Sequence, residues 1–119
     1  MQRDMDLIRD LLLKIESDPT LDGSRYVIFN DPSEFGSHTL NEITYHVDLL
    51  MEAGLVKGEI GGELPLVSRL TWQGHEFLAD TSDPGVWANV MERARGLPNV
   101  AIALVWELAK AEVRKKLGL

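Results

Sequence analysis

Three polar side chains and two cations in this chain have the types and spacing to read a nucleic acid. Asn41, Thr44 and Tyr45 recur at helical intervals opposite an apolar arc, and each can touch a base edge or a phosphate. Thr44 sits at the border of that polar arc. Lys57 and Arg69 lie on either side of a Gly61-Gly62 tip and could grip phosphate there, with Arg25 on a neighbouring strand candidate. The same surface also carries the opposite chemistry. Asp48 and Glu52 share the arc with Asn41 and Tyr45, and Glu59 and Glu63 flank the tip where a minor-groove element favours Arg or Lys. These four carboxylates repel phosphate and would attract a basic protein surface. One set (Asn41, Thr44, Tyr45, Lys57, Arg69) is therefore a candidate DNA site. The other (Asp48, Glu52, Glu59, Glu63) is a candidate protein site.

Net charge weighs against DNA. The formal charge is −7 and the sequence pI is near 4.8. Residues 1–96 hold 17 acids against 8 bases, whereas residues 97–119 hold 2 acids against 4 bases. Nucleic-acid binders gain much of their affinity by neutralising phosphates, so an acidic body disfavours that role without forbidding a local patch. Lys110, Arg114, Lys115 and Lys116 form such a patch near the end of the chain. Its plain explanation is complementarity with a helix C-terminus.

Catalytic chemistry finds little support. No cysteine is present, which excludes disulfides, thiolate metal sites and thiol nucleophiles. His38, His46 and His75 are scattered and form no convincing ligand cluster with carboxylates, so no metal and no cofactor is expected. The glycines at 58, 61 and 62 belong to a hairpin rather than to a strand-to-helix phosphate loop. No pair of carboxylates is isolated for acid–base work. A non-enzymatic protein is the expectation. The charged N-terminus has no leader pattern, and the longest apolar run, 100–106, is too short for a bilayer. A cytoplasmic protein without membrane contact follows as an expectation.

The elements that must position these residues read clearly in the middle of the chain. An apolar stripe of Leu7, Ile8, Leu11, Leu12 and Ile15 predicts a helix over about 3–16. A β-branched and aromatic run predicts a strand over 25–29. Asp31 as cap and Pro32 at the first position predict a short helix over 32–37. Thr39 and Glu42 form a capping box for a helix that Gly54 stops, its buried arc being Leu40, Ile43, Val47, Leu50 and Met51. A hairpin follows over 55–71. Thr71 then caps a helix whose Trp72, Phe77 and Leu78 face inward. Asp83-Pro84 opens another, with Val86, Trp87, Val90, Met91 and Ala94 on one stripe.

The last helix is expected from Pro98 to about 117, and it has two apolar stripes. One is Ala101, Leu104, Val105 and Leu108. The other is Ile102, Trp106, Ala109, Val113 and Leu117, spaced like a short coiled-coil seam. That second stripe is either buried inside the chain or a homodimer interface anchored by Trp106.

At 119 residues the chain is one domain, with a core over about 3–80 and a helical extension over about 84–117. Helix, hairpin and capped helix in this order define an α+β winged helix-turn-helix with additional C-terminal helices. Four segments together resemble an uncharacterised winged-helix family of bacteria, phages and prophages, a domain of unknown function. They are Arg3-Asp4-Met5-Asp6-Leu7-Ile8-Arg9, Tyr45-His46-Val47 with Leu50 and Glu52-Ala53-Gly54-Leu55-Val56, Leu70-Thr71-Trp72-Gln73-Gly74-His75-Glu76-Phe77-Leu78, and Lys116-Leu117-Gly118-Leu119. The resemblance implies the winged-helix fold and a phage or prophage setting, and it supplies no ligand or catalytic residue. The middle segments are also similar to winged-helix transcription regulators, in residues that serve the fold. The leading expectation is a dimeric DNA-binding regulator. The alternative is a phage product that engages a host protein through its acidic face.

Overall fold

A computed structural model describes residues 1–29, 35–62, 64–97 and 100–119, the side chains at 60 and 61 excepted. The elements run α1 (Met5–Ser17), β1 (Val27–Ile28), α2 (Leu40–Glu52), β2 (Val56–Gly61), β3 (Leu64–Leu70), α3 (Trp72–Thr81), α4 (Pro84–Ala94) and α5 (Ile102–Lys116). The architecture is α+β, with these five helices around a small antiparallel sheet of order β1-β3-β2.

Local signals set most boundaries. Asp4, expected inside the first helix, instead caps it by accepting from the Leu7 amide at 3.1 Å. Thr39 accepts from the Glu42 amide, and Glu42 Oε1 accepts from the Thr39 amide, closing the capping box. Gly54 has a φ of +75°, the left-handed conformation that ends α2 at little cost for glycine. Asp83 caps α4 through the amides of Gly85 and Val86, with Pro84 at the first position.

The α2–β2–α3 corner is the tightest joint. The Thr71 hydroxyl donates to the Gly54 carbonyl at 2.5 Å and accepts from the Gly74 amide at 3.1 Å, while the Thr71 amide donates to the Leu55 carbonyl at 3.0 Å. A Cβ at Gly74 would lie 2.2 Å from the Leu55 carbonyl oxygen, so only glycine lets α3 seat there. In the sheet, Val56 pairs with Leu70 and Lys57 with Arg69, after which the register shifts so that Gly58 faces Val67. Ser68 is thus an extra residue on β3, a bulge whose carbonyl accepts from the Gly23 amide at 3.1 Å.

One core joins all five helices. Leu7, Leu11, Leu12, Ile43, Val47, Val67, Phe77, Val90, Val105 and Ala109 are all buried in it. α1 packs on α2, α3 and β3, and α5 packs on α3 and α4. Side chains far apart in sequence brace this arrangement. Trp87 Nε1 donates to Asp6 at 2.7 Å, Arg9 lies over the Trp87 ring, and Arg9 donates to the carbonyls of Thr81 and Ser82 at the end of α3.

Several expectations need correction. Trp72 is 74% exposed, not inward, because it stands about 200° around α3 from Gly74, whose side is fixed against Leu55. The buried arc of α2 is rotated toward His46, which leaves Leu40 exposed at the arc's margin. The first strand is only the pair Val27–Ile28, after which the Phe29 amide still donates to the Pro65 carbonyl of β3 at 3.2 Å. The last helix starts at Ile102; Pro98 lies outside the described residues. So do Asp31 and Pro32, the expected start of the short second helix, while Phe35 is buried with its ring 5.8 Å from that of Phe29.

Candidate interaction face

The polar arc of α2 forms as its periodicity dictates. Asn41, Tyr45 and Glu52 are exposed, and Thr44 and Asp48 are half-buried at the edges. Tyr45 is held by an edge-on contact with the His46 ring, 5.6 Å between centroids. The last turn of α2 contains no basic residue, so its partly negative end is met by no cation of its own helix.

His46 explains the rotation of the helix. Its Nε2 accepts from the Asp4 amide at 2.8 Å and its Nδ1 lies 2.7 Å from the Glu42 carbonyl, a pairing that lets an imidazole occupy a core position. His38 is not isolated either. Its Nδ1 is 3.0 Å from Glu42 and its Nε2 is 3.5 Å from Asp4. The His38 ring, and after it the Thr39 amide, hold the Glu42 carboxyl below the usual carboxylate range. These histidines tie the start of α1 to α2. Beside them lies a cleft of about 470 Å³ reaching Arg95, Leu97 and Val100. Among the described residues no group of three or more His, Asp or Glu is placed to hold a metal ion.

The cations expected to grip phosphate have other neighbours. Lys57 and Arg69 are cross-strand partners and both are exposed. Arg69, however, donates through Nη1 to the Leu70 carbonyl at 2.8 Å, and its stem covers the backbone at Gly23. It also lines a cleft of about 310 Å³ with Glu16, Asp18 and Asp22. Thr20 holds the Asp18 carboxyl low through its hydroxyl and then its amide, and Ser24 does the same for Asp22. Both carboxylates feel the charge of Arg25. Arg25 and Arg69 therefore sit in an acidic surround.

The basic end of α5 is similarly engaged. Lys110 is 3.4 Å from Glu107 and lies over the Trp106 ring, and Lys115 is 3.7 Å from Glu112. Lys116 is 2.8 Å from Asp83, whose carboxyl is held low first by that ammonium and then by the amides of α4. Glu112, only 7% exposed, also accepts from Asn89 and Arg93. Sequence reasoning missed this carboxylate, and nothing local could have marked it.

The proposed dimer seam is turned largely inward. Ala109 is fully buried, and Ile102, Trp106 and Val113 pack against the chain's own core. Trp106 meets Phe77 edge-on at 5.4 Å and donates to Asp80 at 2.8 Å. Of the five seam residues only Leu117, 69% exposed, is left to solvent. Of the acidic set, Glu59 is exposed on β2, and Glu63 lies outside the described residues. No helix among the described residues is long and apolar enough to cross a membrane.

Comparison with known proteins adds a family. The family model described as hypothetical protein (DUF2513) matches residues 2–100. A relative named "Uncharacterized protein" from Haemophilus influenzae (strain ATCC 51907 / DSM 11121 / KW20 / Rd) is 38% identical over 91 residues, covering 73% of each chain. No solved structure matches.

Proposed function

The chain belongs to the DUF2513 family, and within it we propose a non-enzymatic winged-helix module that binds a protein partner carrying a basic surface. The order of elements supports the winged-helix reading: a capped helix, then a hairpin whose second strand also pairs with β1. One observation carries the choice of partner. The outer stripe of α2 presents the exposed Glu52 and the half-buried Asp48 with no cation on the helix itself, although Arg3 lines the same cleft as Glu52. Arg69 and the lysines of α5, by contrast, are engaged within the chain. Attraction to a basic surface needs no rearrangement of these contacts, whereas gripping phosphate with Arg69 or the α5 lysines does.

A DNA-binding regulator is the second reading. The cross-strand pair Lys57 and Arg69, with Asn41, Thr44 and Tyr45 open on α2, favours it. The experiment is a titration of the wild-type protein and of Asp48→Lys/Glu52→Lys against an alternating Arg-Gly peptide and a short mixed-sequence duplex at low salt. The protein-binding reading expects peptide binding that the double variant weakens at least about ten-fold, because attraction becomes repulsion. A wild-type protein that prefers the duplex, and loses it on Lys57→Glu, overturns that reading in favour of DNA.

A further inference from the structure

We propose that the chain forms a two-fold dimer by antiparallel pairing of β2 with β2 of a second copy, centred on Gly58, so that Lys57 of each copy faces Glu59 of the other. The proposal stands whichever partner the α2 face takes. In the sheet order β1-β3-β2, β2 has a strand on one side only. Edge strands are ordinarily protected against such pairing by a proline, a bulge or a short length. β2 runs over six residues, Val56–Gly61, without proline, and both Pro65 and the bulge at Ser68 belong to β3.

Backbone direction selects the register. The Phe29 amide donates to the Pro65 carbonyl, so Pro65 turns its polar group toward β1. Its neighbours Leu64 and Leu66 therefore turn theirs toward β2, where they meet Gly61 and Glu59. At the other end the Leu55 carbonyl accepts from the Thr71 amide. By alternation Val56, Gly58 and Ile60 direct their amides and carbonyls to the open edge. A two-fold axis must pass beside one of these three. Only the axis at Gly58 sets the whole run 56–60 of one copy against the same run of the other.

Charge selects the same register. Lys57 and Glu59 are both exposed. Within the chain Lys57 lies across from Arg69, a like charge, and Glu59 across from Leu66. Neither has an ion-pair partner among the described residues, unlike Lys110, Lys115 and Lys116. With the axis at Gly58, each Lys57 stands opposite a Glu59 in a non-hydrogen-bonded pair, where Cα atoms approach to about 4.5 Å and side chains interact most closely. An axis at Val56 sets Lys57 opposite Leu55, and one at Ile60 sets Glu59 opposite Gly61, so in neither do both charges find a partner. The strand edge is thus complementary to itself at one register.

The test is sedimentation equilibrium of the full chain over a concentration series, with folding checked by circular dichroism. Wild type should dimerise reversibly. Lys57→Glu and Glu59→Lys should each weaken the dimer at least about ten-fold, because each change is met twice across the axis. The combined Lys57→Glu/Glu59→Lys, which restores opposite charges in exchanged places, should recover it. The chain's lack of cysteine permits a check of register. Lys57→Cys mixed with Glu59→Cys should cross-link on mild oxidation. Either variant alone should not, since identical positions lie on the diagonal, about 7–8 Å apart. A wild-type protein that stays monomeric throughout overturns the proposal. So does a dimer indifferent to the single charge changes, a combined variant that fails to recover, or a mixture that cross-links no better than either variant alone.

Discussion

Helices α2 and α5 are both amphipathic and both carry charge, yet they use it in opposite ways. α5 gathers its cations into pairs within the chain: Lys110 with Glu107, Lys115 with Glu112, Lys116 with Asp83. α2 leaves Glu52 open to solvent and Asp48 half open. Counting charges along the sequence makes the C-terminal segment look like the active surface. Pairing reverses that impression, because a cation already beside a carboxylate contributes little field to a third party. Where charge is left uncompensated matters more than where it is abundant.

This contrast can be broken by unseating the corner that presents the α2 stripe. Gly74→Ala should gain about 1 kcal/mol of helix propensity and lose about 3 kcal/mol to the clash with the Leu55 carbonyl. A net loss of about 2 kcal/mol in urea unfolding is expected. A more stable variant would show that α3 can move away from Leu55 at little cost.

The other side of the contrast yields to Glu112→Ala. Asn89, Arg93 and Lys115 lose their common acceptor, and a buried cavity opens. A loss of about 1–2 kcal/mol follows, modest because Arg93 and Lys115 can return to water. The same change leaves two cations uncompensated beside Arg114, so nonspecific duplex binding at low salt should rise. Unchanged duplex binding would mean that pairing does not silence this end.

The smallest expected effect is on acid sensitivity. The carboxyl of Asp83 is held low by Lys116 and by the α4 amides. A depressed carboxylate contributes stability that is present above its unfolded pKa, about 4, and lost as pH falls through its folded value. Lys116→Ala should therefore lower stability slightly at pH 7 and flatten the decline below about pH 4. An acid profile identical to wild type would show the ion pair to be inert, as many exposed pairs are.

Much of the central fold was legible because its signals are local. The Thr39–Glu42 box, the stop at Gly54, the hairpin and the Thr71 cap each depend on residues within a few positions. What escaped depends on distant neighbours. Trp72 faces outward because Gly74 must face Leu55, a contact made across the hairpin. Trp106 resembles a dimer anchor until Phe77 and Asp80 take its ring and its N–H. His46 looks like a stray polar residue until the Asp4 amide, 42 positions away, reaches its ring. The acidic stripe of α2 could be read from periodicity alone; the engagement of Arg69 could not, since the Gly23 turn and the acids around it come from another part of the chain.

The bulge at Ser68 has a consequence for the meaning of the β3 sequence. Before it, odd-numbered residues point inward, as Pro65 and Val67 do; after it, the even-numbered Leu70 is the buried one and Arg69 is turned out. The strand changes parity at one residue. Pairing Ser68 regularly, opposite Lys57, would restore strict alternation and exchange Arg69 with Leu70 between solvent and core. The bulge at that single position thus decides whether a guanidinium or a leucine occupies the interior beside α3.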